Sequence, residues 1–141
     1  MTATAASRNA DLVAEASERD IPVSTVTDRA ADGLSETVTP QGIIAVCEQL
    51  DVALSDALQE PKLVAVLVGV SDPGNAGTVT RVADSAGASA VIFAGDTVDP
   101  HNGKCVRAST GSVFHLPLAR SRDTMAVFDA CRAAGLRLVA A

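Results

Sequence analysis

The chain has 141 residues, of which 48% are hydrophobic and 2% aromatic, and it carries a formal net charge of −6. These values suit a globular protein with a core of its own, and no stretch reaches the roughly 20 apolar residues that a membrane span needs. The three cysteines lack CxxC spacing, so zinc and disulfide sites are not indicated, and we expect buried, reduced thiols, no metal and a cytoplasmic location.

The N-terminal part is predicted to contain two helices. Apolar periodicity favours one helix through about Arg19, capped by Ser7 or Asn9. A second helix is predicted to start after Thr27 and to end near Leu34. The first residues of the chain lack the apolar core of a secretory signal.

Two short strands and a linker are predicted to complete this part. Residues 21–26 and 43–47 are apolar and indicate strands. Residues 53–61 are polar, end in a Glu-Pro pair and favour a linker. We therefore predict one domain over residues 1–52 and another over residues 62–141.

From residue 62 onward the pattern becomes a regular α/β alternation. Strands are predicted at 63–69, 89–94, 112–118 and 136–140. Helices are predicted at 76–86, at 103–109 and, capped by Ser121 or Asp123, to about Ala134. Continuous apolar strands that alternate with helices are typical of a parallel sheet wound in right-handed βαβ units. The predicted fold class is therefore α/β.

Charge is distributed unevenly along the chain. Residues 1–61 hold eleven acidic and three basic side chains, whereas residues 62–141 hold six acidic and eight basic ones. Residues 100–122 contain no acidic side chain and four basic ones: Lys104, Arg107, Arg120 and Arg122. This stretch is either a local anion-binding face or a scatter of solvated cations, and the net charge argues against long-range attraction to RNA.

The most informative local signal is a glycine-rich turn between the first strand and the first helix of that alternation. A phosphate-binding P-loop would need Lys and then Ser or Thr where Asn75 and Ala76 stand. A dinucleotide fingerprint is incomplete as well, since only Gly74 and Gly77 match it. The side chains that this turn and helix offer to a ligand are Asn75 and Arg81.

Three segments, taken in order, resemble the SpoU (TrmH-like) family of RNA ribose 2′-O-methyltransferases. The family's first signature motif is similar to residues 72–87, which include Asp72, Asn75, Gly77, Arg81 and Gly87. The family's basic segment is similar to residues 99–111, which include Asp99, Lys104, Arg107, Ser109 and Gly111. Residues 34–42 resemble the segment that joins the family's RNA-binding and catalytic domains. One departure is Asn102-Gly103, where family members commonly carry a Ser-Pro-like pair.

The resemblance implies a fold and a function. Residues 62–141 would form the N-terminal half of a parallel-sheet α/β catalytic domain of the SPOUT (α/β knot) type. Residues 1–52 would form part of a small α/β domain that binds the RNA substrate. The intact enzyme would use S-adenosylmethionine, need no metal, act on ribosomal RNA in the cytoplasm without a membrane partner, and work as a homodimer.

The resemblance also assigns roles to residues. Arg81 and Asn75 would be catalytic, and Lys104, Arg107 and Ser109 would bind RNA. Taken without the resemblance, Asn75 is equally suited to cap a helix, and Arg81 to pair with Asp84 three residues on. In the same way, Lys104 and Arg107 are also compatible with a solvated helix face.

The family's second and third motifs, which hold S-adenosylmethionine and form the knot, do not occur in this sequence. The resemblance places them beyond Ala141, so the cofactor-binding residues are unknown here. We therefore expect this chain to be a fragment that is inactive alone. The alternative is a non-catalytic RNA-binding or assembly module derived from such an enzyme.

Overall fold

The computed structural model describes residues 1–140. The chain divides into two compact units, Met1–Glu48 and Gln49–Ala141. The division lies a few residues before the predicted domain boundary at residue 52, and the domain assignment itself stays a prediction.

The first unit contains three helices: α1 (Ala3–Arg8), α2 (Ala10–Glu18) and α3 (Asp28–Leu34). Thr27 caps α3, because its hydroxyl oxygen accepts a hydrogen bond from the Ala30 amide at 3.2 Å. The predicted second helix is thus confirmed. The predicted first helix starts earlier than expected, with Thr2 as its cap, and Asn9 divides it into α1 and α2.

The two strands predicted in the first unit are wrong. Residues 21–26 supply only a single parallel bridge, between Thr2 and Val26. Residues 43–47 have no regular structure, and Val46 is fully exposed at 101% of its reference area. A strand needs a neighbour that completes its hydrogen-bond ladder, and an apolar run alone does not supply one.

The second unit is built on a three-stranded parallel sheet in the order β1 (Val64–Val68), β2 (Ala90–Ala94) and β3 (Leu118–Ser121). The register aligns Val68 with Ala94 and Ala94 with Ser121, so all three strands end at one edge of the sheet. Four helices accompany it: α4 (Leu54–Ala57), α5 (Pro73–Ser85), α6 (Gly103–Ala108) and α7 (Thr124–Ala133). The predicted parallel α/β fold is confirmed.

The core lies on both faces of β2, whose five residues are all buried. Val91 and Phe93 belong to one apolar cluster, with residues of α5 and α6. Ala90, Ile92 and Ala94 belong to the other, with residues of α4 and α7. Because successive side chains of a strand point to opposite faces, one strand joins both layers, and truncating Ile92 to Ala would cost about 2–5 kcal/mol.

Three predicted segments of the second unit differ from the structure. The strand predicted at 112–118 is wrong for most of its length. A short 3₁₀ helix, Ser112–Phe114, follows Gly111, whose φ of 100° turns the chain, and β3 begins only at Leu118. Residues 136–140 form no strand, and Val139 is exposed. Residues 53–61, predicted as a linker, include α4, whose Ala57 is buried against the sheet.

Candidate functional site

The start of α5 lies directly after the carboxyl end of β1 and is capped by Asp72. The Asp72 Oδ1 atom accepts a hydrogen bond from the Asn75 amide at 2.8 Å, and Pro73 takes the first helical position. Both features are typical of a helix N-terminus. The alternative in which Asn75 caps the helix is therefore wrong, and its side chain is left for another use.

Asn75 and Arg81 are both exposed on α5, and within residues 1–140 neither side chain has a hydrogen bond or an ion pair. The alternative in which Arg81 pairs with Asp84 is also wrong. Asp84 instead receives hydrogen bonds from Ser112 and from His115, the latter at 3.1 Å, and they lower its pKa. The Arg81 guanidinium is therefore available to an anionic ligand.

The two side chains do not point the same way. At 3.6 residues per turn, residues six apart lie about 120° apart around a helix and roughly 9 Å apart along its axis. Asn75 and Arg81 of α5 therefore face different directions and do not converge on one point.

Gly77 brings α5 against α6. It is buried, and a Cβ atom placed there would overlap the Cys105 carbonyl oxygen and come within 2.7 Å of the Ala108 Cβ. Only glycine allows backbones to approach so closely. This packing sets the basic segment on α6 beside the helix that carries Arg81.

Lys104 is held by the capping residue of α5. Its Nζ atom lies 2.8 Å from the Asp72 Oδ2 atom, and the hydrogen bond from Lys104, followed by that from the Asn75 amide, lowers the pKa of Asp72. Asn102, which differs from the residue common in the family, caps α6, because its side-chain oxygen accepts a hydrogen bond from the Lys104 amide at 2.9 Å. Both side chains of the ion pair are about half exposed, so a phosphate can compete with Asp72 for Lys104.

The other two residues predicted to bind RNA lie in different surroundings. Arg107 is exposed on α6. Ser109 is fully buried, and its hydroxyl donates to the Val106 carbonyl at 2.7 Å. Its hydroxyl proton is therefore engaged inside the protein rather than at the surface.

A second polar cluster lies at the carboxyl ends of β2 and β3. Asp51 accepts from His101 Nε2 at 2.6 Å and forms an ion pair with Arg120. Asp99 accepts from the His101 amide at 3.0 Å and contacts Arg120 at 3.4 Å. From the sequence, Arg120 was predicted only as part of a basic stretch; the structure places it within β3, near the carboxyl end of that strand.

This cluster borders an open cavity of about 410 Å³. Its walls include Gly95 and Thr97 after β2, and Arg120, Ser121 and Arg122 at the end of β3. Arg122 is exposed, and its side chain has no hydrogen bond or ion pair in the described part of the chain. The sequence did not predict this cavity.

Two other features, a metal-binding cluster and a membrane-spanning helix, are absent from residues 1–140. These residues contain no group of three or more His, Cys, Asp or Glu side chains that could hold a metal ion, and no helix long and apolar enough to cross a membrane. All three cysteines are free. The expectation of buried thiols is wrong for the exposed Cys47, whereas burial raises the pKa of Cys105 and Cys131.

Two family models match the chain. The model described as the SpoU rRNA methylase family matches residues 62–141. The model described as RNA 2′-O ribose methyltransferase substrate binding matches residues 2–53. Together they cover most of both compact units.

Similar curated proteins are ribosomal RNA methyltransferases by name. The chain is 37% identical over 121 residues to the 23S rRNA (guanosine(2553)-2′-O)-methyltransferase RlmP of Bacillus subtilis, covering 86% of this chain and 47% of that protein. It is 31% identical to the 23S rRNA (guanosine-2′-O-)-methyltransferase RlmB of Bordetella pertussis, covering 76% and 51%. The chain thus spans about half the length of these relatives.

Solved structures agree with these matches. An rRNA methyltransferase from Sinorhizobium meliloti superposes with a TM-score of 0.77 at 35% identity, covering 90% of this chain and 49% of that one. An AdoMet-bound rRNA methyltransferase from the same organism superposes with a TM-score of 0.76 at 37% identity, covering 88% of this chain and 48% of that one.

Proposed function

Because the chain belongs to the SpoU rRNA methylase family, we propose that it takes part in the S-adenosylmethionine-dependent methylation of a ribose 2′-hydroxyl in ribosomal RNA. The observation that carries this proposal is the Arg81 guanidinium, exposed and unpaired within residues 1–140 on a helix that begins at the carboxyl edge of the sheet. The two curated relatives described above are named as 23S rRNA methyltransferases, and this chain spans about half the length of each.

The two parts of the chain take different roles in this proposal. Residues 1–52 help to bind RNA, and residues 62–141 form the part of the catalytic domain that faces the RNA, with residues 53–61 between them. The match of residues 2–53 to a substrate-binding family supports the first role. The proposed location is the cytoplasm, and the proposed working form is a homodimer.

S-adenosylmethionine supplies the methyl group as an electrophilic sulfonium. We assign no residue of this chain to bind it, and the roles proposed for the residues of this chain are toward the RNA.

Arg81 stabilises negative charge on the attacking ribose oxygen and positions the neighbouring phosphate. A guanidinium stays protonated near neutral pH, so it is a poor general base but a strong, planar hydrogen-bond donor. Such a donor is most effective when it is already aimed at the site where charge develops. Its lack of a protein partner means that no ion pair has to break before Arg81 meets RNA.

Asn75 orients the ribose through its amide. The angular separation on α5 keeps it away from the atom that Arg81 contacts, so the two residues act on different parts of one nucleotide. Lys104 and Arg107 hold phosphates of the flanking chain, which positions the RNA without reading its bases. Ser109, buried as it is, supports the end of α6 in this arrangement and meets RNA only through a local rearrangement.

The first experiment is deletion of the gene in the organism that carries it, followed by mapping of 2′-O-methylated riboses across the ribosomal RNAs. The proposal expects the loss of one mark. If every mark persists and the chain still binds RNA with strong salt dependence, the non-catalytic RNA-binding module is the correct interpretation. If every mark persists and no RNA is bound, both interpretations fail.

A further inference from the structure

The cavity at the carboxyl ends of β2 and β3 lies outside the group formed by Asn75, Arg81 and Lys104. Because the strands are parallel, the loops that follow β1, β2 and β3 leave the sheet at the same edge. Adjacent strands are about 4.8 Å apart, so the loops after β1 and β3 are separated by roughly 10 Å. The cavity therefore shares the sheet edge at which α5, the helix that carries Arg81, begins.

The cavity contains one arginine that has no ion pair among the described residues. Arg120, by contrast, contacts two carboxylates, those of Asp51 and Asp99, which hold its guanidinium in place. Arg122 also lines the cavity, and within residues 1–140 its side chain has no ion pair. An anion entering the cavity therefore meets a free guanidinium beside a fixed one, and guanidinium groups match phosphate geometry well.

The size and the remaining walls favour a nucleotide over a small ion. A volume of about 410 Å³ lies in the range of pockets that bind small organic ligands. The Thr97 hydroxyl oxygen lies 2.7 Å from the Ala94 carbonyl oxygen and 3.1 Å from that of Leu67, so its single proton is shared between them and the side chain is held in place. Asp99 is half exposed and can accept a hydrogen bond from a ribose hydroxyl.

We propose that this cavity binds a nucleotide of the RNA substrate that flanks the methylated one, with Arg122 and Arg120 holding its phosphate. Asp51 is a positioning residue in this site, because its carboxylate joins Arg120 to His101. The inference rests on the proposed function for the identity of the ligand as RNA. The cavity, the free guanidinium and the fixed one are observations independent of it.

The test is a titration of the ¹⁵N-labelled chain with a single-stranded RNA trinucleotide, with uridine monophosphate and with inorganic phosphate, read from backbone amide shifts. The trinucleotide is expected to shift the amides of Gly95, Thr97 and Ser121 to saturation, and the mononucleotide to shift them more weakly. Arg122→Ala should weaken the trinucleotide about tenfold, and should reduce the slope of log affinity against log salt by about 0.7.

Arg132→Ala is the matched control. Arg132 is exposed on α7 and pairs only with Asp129 among the ion pairs of the described residues, so this change should leave the affinity and the salt slope unaltered. Because Arg122 is exposed, its variant should fold, and an unchanged amide spectrum checks that it does.

Each other outcome overturns the site. Shifts confined to residues 74–81 and 104–107 would remove the site and leave the proposed function standing. Equal saturation by inorganic phosphate would show a simple ion site. S-adenosylmethionine is added last to the saturated sample, and displacement of the trinucleotide from the cavity would assign the cavity to the cofactor. No shift anywhere would count against both this site and the proposed function.

Discussion

The contact between α5 and α6 makes a sharp prediction for Gly77→Ala. A methyl group at this position would overlap the Cys105 carbonyl oxygen and press on the Ala108 side chain and the Ser109 amide nitrogen. Replacing glycine by alanine inside a helix gains about 1 kcal/mol in propensity. Overpacking costs about 1–3 kcal/mol, and the upper value applies here because a backbone carbonyl cannot rotate away as a side chain can.

The expected net loss is about 2 kcal/mol, the difference between these two estimates. Native-state amide hydrogen exchange measures it, since the slowest amides of a buried strand such as β2 report the unfolding of the second unit. Their exchange should become about thirtyfold faster. RNA affinity should fall as well, because α6 carries Lys104 and Arg107.

Gly33→Ala is the control for this prediction. Gly33 lies in α3 with no atom within 4 Å of the added methyl group, so the same substitution should slow exchange in α3 and leave β2 unchanged. If Gly77→Ala is as harmless as Gly33→Ala, the close approach of the two helices, and with it the placement of the basic segment beside Arg81, is wrong.

Three further predictions follow from the contacts. Lys104→Ala should raise the pKa of Asp72 toward its ordinary value of 3.8, as carboxyl-carbon NMR titration would show, and Lys62→Ala should leave this pKa unchanged. In the unaltered chain, the ion pair stabilises the fold above pH 3.8, and this stabilisation is lost as the pH falls through the lowered pKa of Asp72. A thiol reagent should label Cys47 rapidly and the two buried cysteines only on unfolding. Because burial raises the pKa of Cys105 and Cys131 above 9.0, the free energy of unfolding measured by urea titration should be constant in this respect below pH 9 and should decline above it. Ser109→Ala should lower the free energy of unfolding by about 1 kcal/mol through the lost hydrogen bond, and it should alter RNA affinity less than twofold. A large loss of RNA affinity at an unchanged free energy of unfolding would instead show that Ser109 binds RNA.

The sequence was sufficient to predict those helices and strands whose packing partners follow shortly after them in the chain. The strands at 64–68 and 90–94 and the helix between them form a βαβ unit, which short-range apolar patterning specifies well. Residues 43–47 show the opposite case, since their apolar pattern resembles a strand but no neighbouring strand completes it. Pattern alone cannot distinguish the two, because hydrogen-bond partners are supplied by the tertiary fold.

The candidate site was predictable to a similar extent. The motif resemblance singled out Asn75, Arg81 and Lys104, and the structure sets the first two on α5 and the third against its N-terminus. The ion pair between Lys104 and Asp72 joins residues 32 positions apart, and nothing local encodes it. The cavity beside Arg122 is lined by two separate segments, residues 93–99 and 120–122, and the sequence pattern of neither segment alone indicates it.

The most direct test of the central claim is Arg81→Ala, introduced at the native gene and followed by mapping of ribose 2′-O-methylation in ribosomal RNA. The exposed Arg132, paired with Asp129 on α7, provides the matched Arg132→Ala control. We predict that Arg81→Ala abolishes the mark that gene deletion removes, at unchanged protein abundance, while Arg132→Ala retains it. Full methylation in the Arg81→Ala strain would contradict the account.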